Sequence, residues 1–322
     1  MIAAQTLNLH KYYKNNNIAA IRLQITMAIM SSFLLKKHYD RVILYADKKT
    51  AEILSNTYYT EIRILPTDVL VSYGYGTLAK LYTYSNIEEE FIHFDVDYFL
   101  FKKVNLNDEI ICSYSENREK CGVSSFEAGY SCLIDKLKVD YQDLGFKIID
   151  EDYAMNMCIF GVPQNYHKSI TEYFKKLNEH SEKNIETISN NYTIDYPPLW
   201  AIEQYIPAQF FLENNFKINE LNDYDNHHIK GQSGYLRIFN VKTHENIANF
   251  RIKDVDIKFH LSKYMEENIG HHLWNTKNVE GIDDSLRFVA REMFSELYEV
   301  IINILDKNSL LINKNTDGKR LI

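Results

Sequence analysis

The sequence predicts an α/β protein built on a largely parallel sheet with helices on both faces. Short apolar runs typical of buried strands alternate with segments whose apolar residues recur at helical spacing. The chain has 322 residues, and 45% of them are hydrophobic. That size and composition suffice for one large α/β domain with an appended helical part.

The predicted elements follow strand–helix order through most of the chain. The first strand is expected at 2–7, and the spacing of Ile21, Ile25 and Ile29 predicts a long helix over 18–38. Further predicted strands are 41–46, 61–65, 91–94, 109–114, 157–161 and 257–261. Further predicted helices are 49–56, 77–86, 124–138, 164–183, 198–214 and 283–305, the last one amphipathic.

Composition and charge disfavour several classes of function. The net charge is −8, from 36 basic and 44 acidic residues with no dense basic block, which disfavours nucleic-acid binding. The four cysteines form no C-x-x-C pair, so we expect reduced thiols rather than a zinc site. The longest apolar stretch, ITMAIMSSFLL, contains serines and is too short to span a bilayer. We therefore predict a cytoplasmic protein whose membrane association, if any, is peripheral.

Two aspartates, Asp95 and Asp97, interrupt the otherwise apolar run EEEFIHFDVDYFLFKK. Burying carboxylates is costly unless a counter-charge compensates, and ligands of open α/β sheets bind outside the carboxyl ends of strands. The pattern therefore predicts a site for Mg²⁺ or Mn²⁺, which prefer oxygen ligands. The alternative is a turn whose carboxylates cap backbone amides. Three other D-x-D pairs are expected on solvated loops: 150/152, 223/225 and 254/256.

The segment GTLAKLYTYSNIEEEFIHFDVDYFLFKKV (76–104) resembles the central segment of GT-A-fold glycosyltransferases, particularly glycogenin and bacterial galactosyl- or glucosyltransferases. The resemblance implies a Rossmann-like GT-A fold in which the D-x-D binds Mn²⁺ or Mg²⁺ and the metal bridges the diphosphate of a nucleotide-sugar. Asp95 would contact ribose or metal, and Asp97 would be the firmer metal ligand. Lys80 would lie near the nucleotide or the D-x-D, the alternative being an exposed helix lysine.

Two downstream segments extend this resemblance. AMNMCIFGVP is similar to the family's sugar-binding strand, which places Asn156 at the transferred sugar, although Cys158 replaces the glycine of that pattern. PLWAIEQYIP is similar to the helix that follows, so Glu203 and Gln204 would face the sugar or acceptor. Glu203 would then be the general base that takes a proton from the acceptor hydroxyl. The alternative for Glu203 is a surface glutamate.

The last part of the metal site has two candidate segments. IKFHLSKY resembles the family's late strand-plus-histidine element, with His260 as a metal ligand and Lys263 at the diphosphate. An ordinary packed histidine is the alternative. GHHLW offers His271 and His272 as competing ligands, and the Lys-Pro-Trp triplet that often follows the family's histidine is absent from this chain.

The resemblance implies a metal-dependent glycosyltransferase that moves a sugar from a nucleotide-sugar, with UDP-sugars favoured, to a saccharide, peptide or small-molecule hydroxyl. Residues 1–275 would form the catalytic domain, and 276–322 an amphipathic helix and tail packed on it. One rival is a GT-A scaffold that binds nucleotide or glycan without turnover. Another is a D-x-D phosphohydrolase, whose motif calls for Thr or Val where this chain has Phe99. A protein-interaction module is a third.

Overall fold

A seven-stranded mixed sheet lies at the centre of the protein in our computed structural model, which describes residues 1–66, 76–121, 130, 133–190, 201–222, 262–263, 265–273 and 282–311. The strand order is β3-β2-β1-β4-β7-β6-β8, and β5 pairs with β9 in a separate two-stranded sheet. The strands are Ile2–Leu7 (β1), Arg41–Ala46 (β2), Glu61–Ile64 (β3), Phe91–Phe94 (β4), Tyr98–Leu100 (β5), Ile110–Asn117 (β6), Tyr153–Val162 (β7), Ile218–Glu220 (β8) and Gly270–His272 (β9).

The sheet is mostly parallel. Strands β1 to β4 run in one direction, β7 is antiparallel to both of its neighbours, and β6 and β8 run parallel to each other. The helices are His10–Lys14 (α1), Ile18–Lys36 (α2), Lys48–Leu54 (α3), Gly76–Asn86 (α4), Arg118–Cys121 (α5), Ile134–Asp140 (α6), Gln164–Asn190 (α7), Ile206–Glu213 (α8), Ile282–Met293 (α9) and Ser295–Lys307 (α10). The predicted fold class, a mostly parallel sheet flanked by helices with a helical C-terminal part, is confirmed.

Alternation along the strands separates the two layers of core. In β1, Ile2 and Ala4 join the cluster that includes α4 and α7, whereas Ala3 belongs to a cluster on the opposite face. Ile43 and Tyr45 of β2 repeat this pattern on the α4 side. Successive strand residues point to opposite faces, so strands buried on both sides read as continuous apolar runs. Helix α2 covers the second face, and α9 and α10 pack against it.

Helix α2 is 19 residues long, and 18 of these residues have a mean hydropathy of 1.7, so by length and composition alone it is able to cross a membrane. The apolar stretch that we predicted to be too short is therefore part of a longer apolar helix. In the structure, 67% of its 18-residue window is buried inside the protein. Its burial between the sheet and the C-terminal helices accounts for this composition. The side chain of Asn17 begins the helix by accepting a hydrogen bond from the backbone N–H of Ala20.

Two predicted helices differ in form from the structure. The predicted helix 283–305 is divided at Phe294, whose φ of −145° and ψ of 71° interrupt the helical backbone between α9 and α10. The predicted helix 198–214 begins, within the described residues, as a π-helix at Ala201–Tyr205, and α8 then continues it.

Two other predictions are only partly covered by the description. In the predicted helix 124–138, helix α6 begins at Ile134, and residues 122–129 lie outside the described residues. The predicted strand 257–261, which contains His260, also lies outside them.

Candidate active site

The D-x-D motif lies in a tight turn directly after the central strand β4. The backbone N–H of Tyr98 donates to the carbonyl of Asp95 at 2.9 Å, which closes a four-residue turn between β4 and β5. The N–H of Asp95 donates in turn to the carbonyl of Cys158 on β7 at 2.8 Å. The turn is therefore fixed to the neighbouring strand, and both aspartates lie at the carboxyl end of β4.

Three side chains meet at this turn. Asp95, Asp97 and His272 each offer a ligand atom, and these atoms all lie within 4.8 Å of one another. His272 reaches the site because β9 pairs antiparallel with β5, where His272 lies opposite Tyr98. The N–H of Leu273 also donates to the carbonyl of Asp97 at 3.0 Å. Among the described residues, the histidine that joins Asp95 and Asp97 is thus His272, from the segment that was the competing candidate in the sequence.

The three donors suit a divalent cation. Two carboxylates and an imidazole match the ligands of Mn²⁺, and Mg²⁺ shares the preference for carboxylate oxygen. Octahedral bonds of about 2.1 Å place donor atoms about 3 to 4 Å apart, which is compatible with the spacing of this trio. Asp97 is 2% exposed and His272 is 7% exposed, so the protein shields two of the three donors from water.

Without a metal, His272 and Asp97 compensate each other. His272 Nε2 lies 3.4 Å from Asp97 Oδ1. Burial by itself lowers the pKa of His272, but the neighbouring Cys158 and Asp97 outweigh this effect and raise the pKa to about 10. The imidazole is therefore protonated at neutral pH, and metal binding through the same nitrogen requires release of that proton.

Lys80 bridges two carboxylates beside the trio. Its Nζ lies 2.7 Å from Asp95 Oδ1 and 2.9 Å from Glu203 Oε1. Tyr84, one helical turn after Lys80 on α4, donates its hydroxyl to the same Glu203 oxygen at 3.2 Å. Burial lowers the pKa of Lys80, but the two carboxylates raise it further, so its pKa lies above the usual value and the lysine stays charged. Lys80 is therefore at the D-x-D and is not an exposed helix lysine.

Glu203 occupies an enclosed position that differs from the substrate-facing one implied by the sequence. It belongs to the π-helix that precedes α8, a rare form of backbone that often occurs at functional sites. The residue is 3% exposed, and its carboxylate contacts Lys80 and Tyr84. Burial raises the pKa of Glu203, Lys80 opposes this effect, and Asp95 reinforces it.

A buried histidine that the sequence analysis did not select lies near the same oxygen of Asp95 that Lys80 contacts. His93 lies in β4, two residues before Asp95, so the two side chains point to the same face of the sheet. Its Nδ1 lies 4.0 Å from Asp95 Oδ1. Its Nε2 is 3.0 Å from the hydroxyl of Thr6, which donates to Thr83 at 2.8 Å. Burial, together with the charge of Lys80, holds the pKa of His93 well below its usual value, so this imidazole is neutral. The one sequence feature that could have indicated His93 is its polarity within the otherwise apolar run FIHF.

A second polar cluster lies along β6 and β7. Asn156 Nδ2 donates to Glu116 Oε1 at 2.9 Å, and Asn156 Oδ1 accepts the N–H of Cys158 at 3.2 Å. The hydroxyl of Tyr130 lies 2.6 Å from Gln204 Oε1 and also contacts Glu116 Oε2. The structure therefore brings together Asn156, predicted to bind the sugar, and Gln204, predicted as a catalytic residue facing the sugar or acceptor. It adds Glu116, which the sequence analysis missed. The only sequence feature that could have indicated Glu116 is the polar end of the strand IICSYSEN.

The remaining predicted residues are placed less centrally. Lys263 is exposed, and its Nζ lies 3.8 Å from Glu267 Oε1, an ordinary pair one helical turn apart. His260 lies outside the described residues. Asp150 and Asp152, from the second D-x-D pair, lie in the loop before β7, with Asp152 3.2 Å from Arg118 Nε.

Residues 11–304 match a protein family described as "Family of unknown function (DUF6734)", and the chain belongs to this family. No curated protein matches the chain. Three solved structures are similar in outline. The first is the glycosyltransferase GlyE of Streptococcus pneumoniae TIGR4, with 13% identity and a TM-score of 0.41 over 98% of this chain and 65% of GlyE. The galactosyltransferase LgtC has 11% identity and a TM-score of 0.37 over 64% of this chain and 72% of LgtC. Mouse xyloside xylosyltransferase 1 has 10% identity and a TM-score of 0.38 over 72% of this chain and 92% of the mouse enzyme. The chain thus spans about two thirds of the length of GlyE. At such low similarity, function has to be argued from the site.

Proposed function

We propose that this protein is a metal-dependent glycosyltransferase that moves a sugar from a nucleoside-diphosphate sugar to a hydroxyl acceptor. The observation that carries the proposal is the convergence of Asp95, Asp97 and His272 at the carboxyl end of β4. Strands β2 and β3 extend the sheet from β1 in one direction, while β4 extends it in the other. Ligands of open α/β sheets bind at such a point of reversal.

In this proposal, Asp95, Asp97 and His272 hold Mn²⁺ or Mg²⁺. The bound ion would neutralise the negative charge that develops on the departing nucleoside diphosphate. The protein would supply a rigid set of donors, because the D-x-D turn is hydrogen-bonded to β7 and β9 is hydrogen-bonded to the turn. Rigid donors lose little free energy to reorganisation during the reaction.

The cluster along β6 and β7 is the proposed sugar and acceptor side of the site. Asn156 is the predicted sugar-binding group there, Gln204 is the predicted catalytic group that faces the sugar or acceptor, and Glu116 is a half-buried carboxylate between them. Asn156 is two residues before Cys158 on β7, and Cys158 contacts both the D-x-D turn and His272. The metal trio and the polar cluster are therefore joined by one strand.

The proposed donor is a UDP-sugar, and a saccharide, peptide or small molecule is the proposed acceptor. We assign the catalytic part to residues 1–275 and a packing role to 276–322, and we propose a cytoplasmic location. Lys263 is retained as a candidate contact of the diphosphate. The role of Glu203 as general base is a prediction from the sequence, and the enclosure of its carboxylate by Lys80 and Tyr84 argues against that role.

The proposal is tested by incubating the protein with a panel of UDP-, GDP- and dTDP-sugars and measuring release of nucleoside diphosphate, with Mn²⁺ or with EDTA. We expect release from one donor class that needs Mn²⁺ and falls by orders of magnitude in Asp97→Ala, because the variant loses a metal ligand. Asp150→Ala is the matched control, since it removes an aspartate from an exposed D-x-D pair and should keep full activity.

Other outcomes identify the rival functions. Metal-dependent binding of nucleotide-sugar without release, with and without a range of acceptors, would indicate a scaffold that does not catalyse transfer. Release of inorganic phosphate from phosphate monoesters, in place of nucleoside diphosphate from sugars, would indicate a phosphohydrolase. If the protein neither binds any nucleotide-sugar of the panel nor releases nucleoside diphosphate from it, the proposed function is refuted.

A further inference from the structure

We infer that Glu203 is a positioning residue that acts through Lys80 on Asp95, and that it strengthens metal binding without touching the substrate. The inference rests on the proposed function, because it concerns the same metal site. It differs from the role as general base that the sequence implied for Glu203.

Access to the substrate distinguishes a general base from a positioning residue. A general base needs a lone pair directed at the substrate. Glu203 is 3% exposed, and its Oε1 receives the ammonium of Lys80 at 2.9 Å and the hydroxyl of Tyr84 at 3.2 Å. Tyr84 is itself fully buried in the core on the α4 face of the sheet. This oxygen of the carboxylate is thus occupied by two donors, and the residue as a whole has little access to solvent.

The ammonium of Lys80 is shared by the carboxylates of Asp95 and Glu203. Lys80 Nζ is almost equally distant from Asp95 Oδ1, at 2.7 Å, and from Glu203 Oε1, at 2.9 Å. The side chain of Lys80 is 17% exposed and that of Glu203 is 4% exposed, so water screens this interaction only weakly. Asp95 therefore receives only part of the attraction of the ammonium.

The sharing of Lys80 affects how strongly a metal binds Asp95. A divalent cation that binds Asp95 competes with Lys80 for the same carboxylate. If Glu203 loses its negative charge, Lys80 has Asp95 as its sole anionic partner among these residues and opposes the metal more strongly. The charge of Glu203 keeps the ammonium divided between two partners, and it also anchors Lys80 so that Asp95 is held in one orientation. Groups that hold a metal ligand in this way commonly change metal affinity by 10–100-fold when they are altered.

The test is the affinity of the protein for Mn²⁺ alone, measured by calorimetry and by the electron paramagnetic resonance signal of free Mn²⁺. Glu203→Gln keeps the size of the side chain and its acceptor oxygen but removes the charge. We expect its Kd for Mn²⁺ to rise by about 10–100-fold. In the double variant Lys80→Met/Glu203→Gln, the competing ammonium is also gone. We expect its Kd to return most of the way to the wild-type value, since the effect of Glu203 passes through Lys80.

The matched control is Asp283→Asn, which neutralises the buried partner of Arg22 in the contact between α2 and α9. We expect this variant to lose stability while its Kd for Mn²⁺ stays at the wild-type value. If Asp283→Asn weakens Mn²⁺ binding as much as Glu203→Gln, the effect reflects general loss of structure and the inference is wrong.

The inference also fails if Glu203→Gln binds Mn²⁺ within about twofold of wild type and nevertheless loses turnover, because that result would identify a base or a substrate contact. The proposed function would survive such a result. Absence of Mn²⁺ binding in the wild-type protein would instead overturn both the metal site and the inference.

Discussion

The proposed role of His272 as a metal ligand leads to a prediction with a calculable size. The variants are His272→Asn and, as matched controls, His271→Asn in the same strand and His260→Asn, which removes the other histidine that the sequence proposed. Among the histidines whose side chains the structure describes, only His272 offers a ligand atom together with both Asp95 and Asp97. We therefore expect His272→Asn alone to lose the response to Mn²⁺.

The expected magnitude follows from linkage. At a Mn²⁺ concentration of 100 times Kd, binding stabilises the folded protein by about 2.7 kcal/mol. An unfolding entropy of about 2.1 cal/mol/K per residue over 322 residues is about 0.7 kcal/mol/K, so the wild-type Tm should rise by about 4 °C. If loss of His272 weakens binding about 100-fold, the remaining stabilisation is about 0.4 kcal/mol and the rise is below about 1 °C.

Without Mn²⁺, the same substitution should also lower stability. Asp97 is 2% exposed, and the protonated imidazole of His272 compensates its charge at 3.4 Å. Removing one member of a buried ion pair costs about 3 kcal/mol, or about 4 °C in Tm. Differential scanning calorimetry with EDTA and with Mn²⁺ measures both effects. The reasoning is refuted if His260→Asn or His271→Asn abolishes the Mn²⁺ shift while His272→Asn keeps it.

Three further predictions concern packing and the second polar cluster. Asp283→Asn should lower the free energy of unfolding by about 1–3 kcal/mol, measured with urea, because the largely buried Arg22 loses a charged partner; an unchanged midpoint would contradict this. Gly161→Ala should cost about 1–3 kcal/mol, since a Cβ would lie 2.7 Å from Leu106 Cδ2 and 2.9 Å from Ile111 Cβ, and an unchanged Tm would show that β6 accommodates the methyl group. Glu116→Gln should reduce kcat/KM at least about tenfold with little change in Tm. An unchanged kcat/KM with a lowered Tm would instead show that Glu116 serves only to position Tyr130 and Asn156.

Local pattern was enough to predict most of the parallel part of the sheet. Strands 2–7, 41–46 and 91–94 have the bounds expected from their apolar runs, because both of their faces are buried and their composition is therefore distinctive. The position of Asp95 and Asp97 directly after a strand could be read in the same way. These features depend on residues that are close together in the chain.

Features that depend on distant parts of the chain could not be read from the sequence. His272 reaches Asp97 through the pairing of two three-residue strands, β5 and β9, that are far apart in the chain and too short to give a periodic signal. The enclosure of Glu203 depends on Lys80 and Tyr84, which lie more than a hundred positions earlier. The interruption at Phe294 is likewise invisible in the amphipathic pattern, because apolar residues recur at helical spacing on both sides of it.

The charges of the two aspartates in the D-x-D turn are compensated by two cations of the protein itself. Lys80 lies against Asp95, and the protonated His272 lies against Asp97, so each carboxylate has its own positive partner before any metal binds. A divalent ion must therefore replace protein cations as well as shed water, which opposes tight binding by the metal alone. A nucleoside diphosphate would add oxygen ligands and negative charge at the same point, and Mg²⁺ in particular is usually held by one or two carboxylates together with substrate phosphates. The charge arrangement thus predicts that Mn²⁺ binds more tightly when a nucleoside diphosphate is present than it does alone.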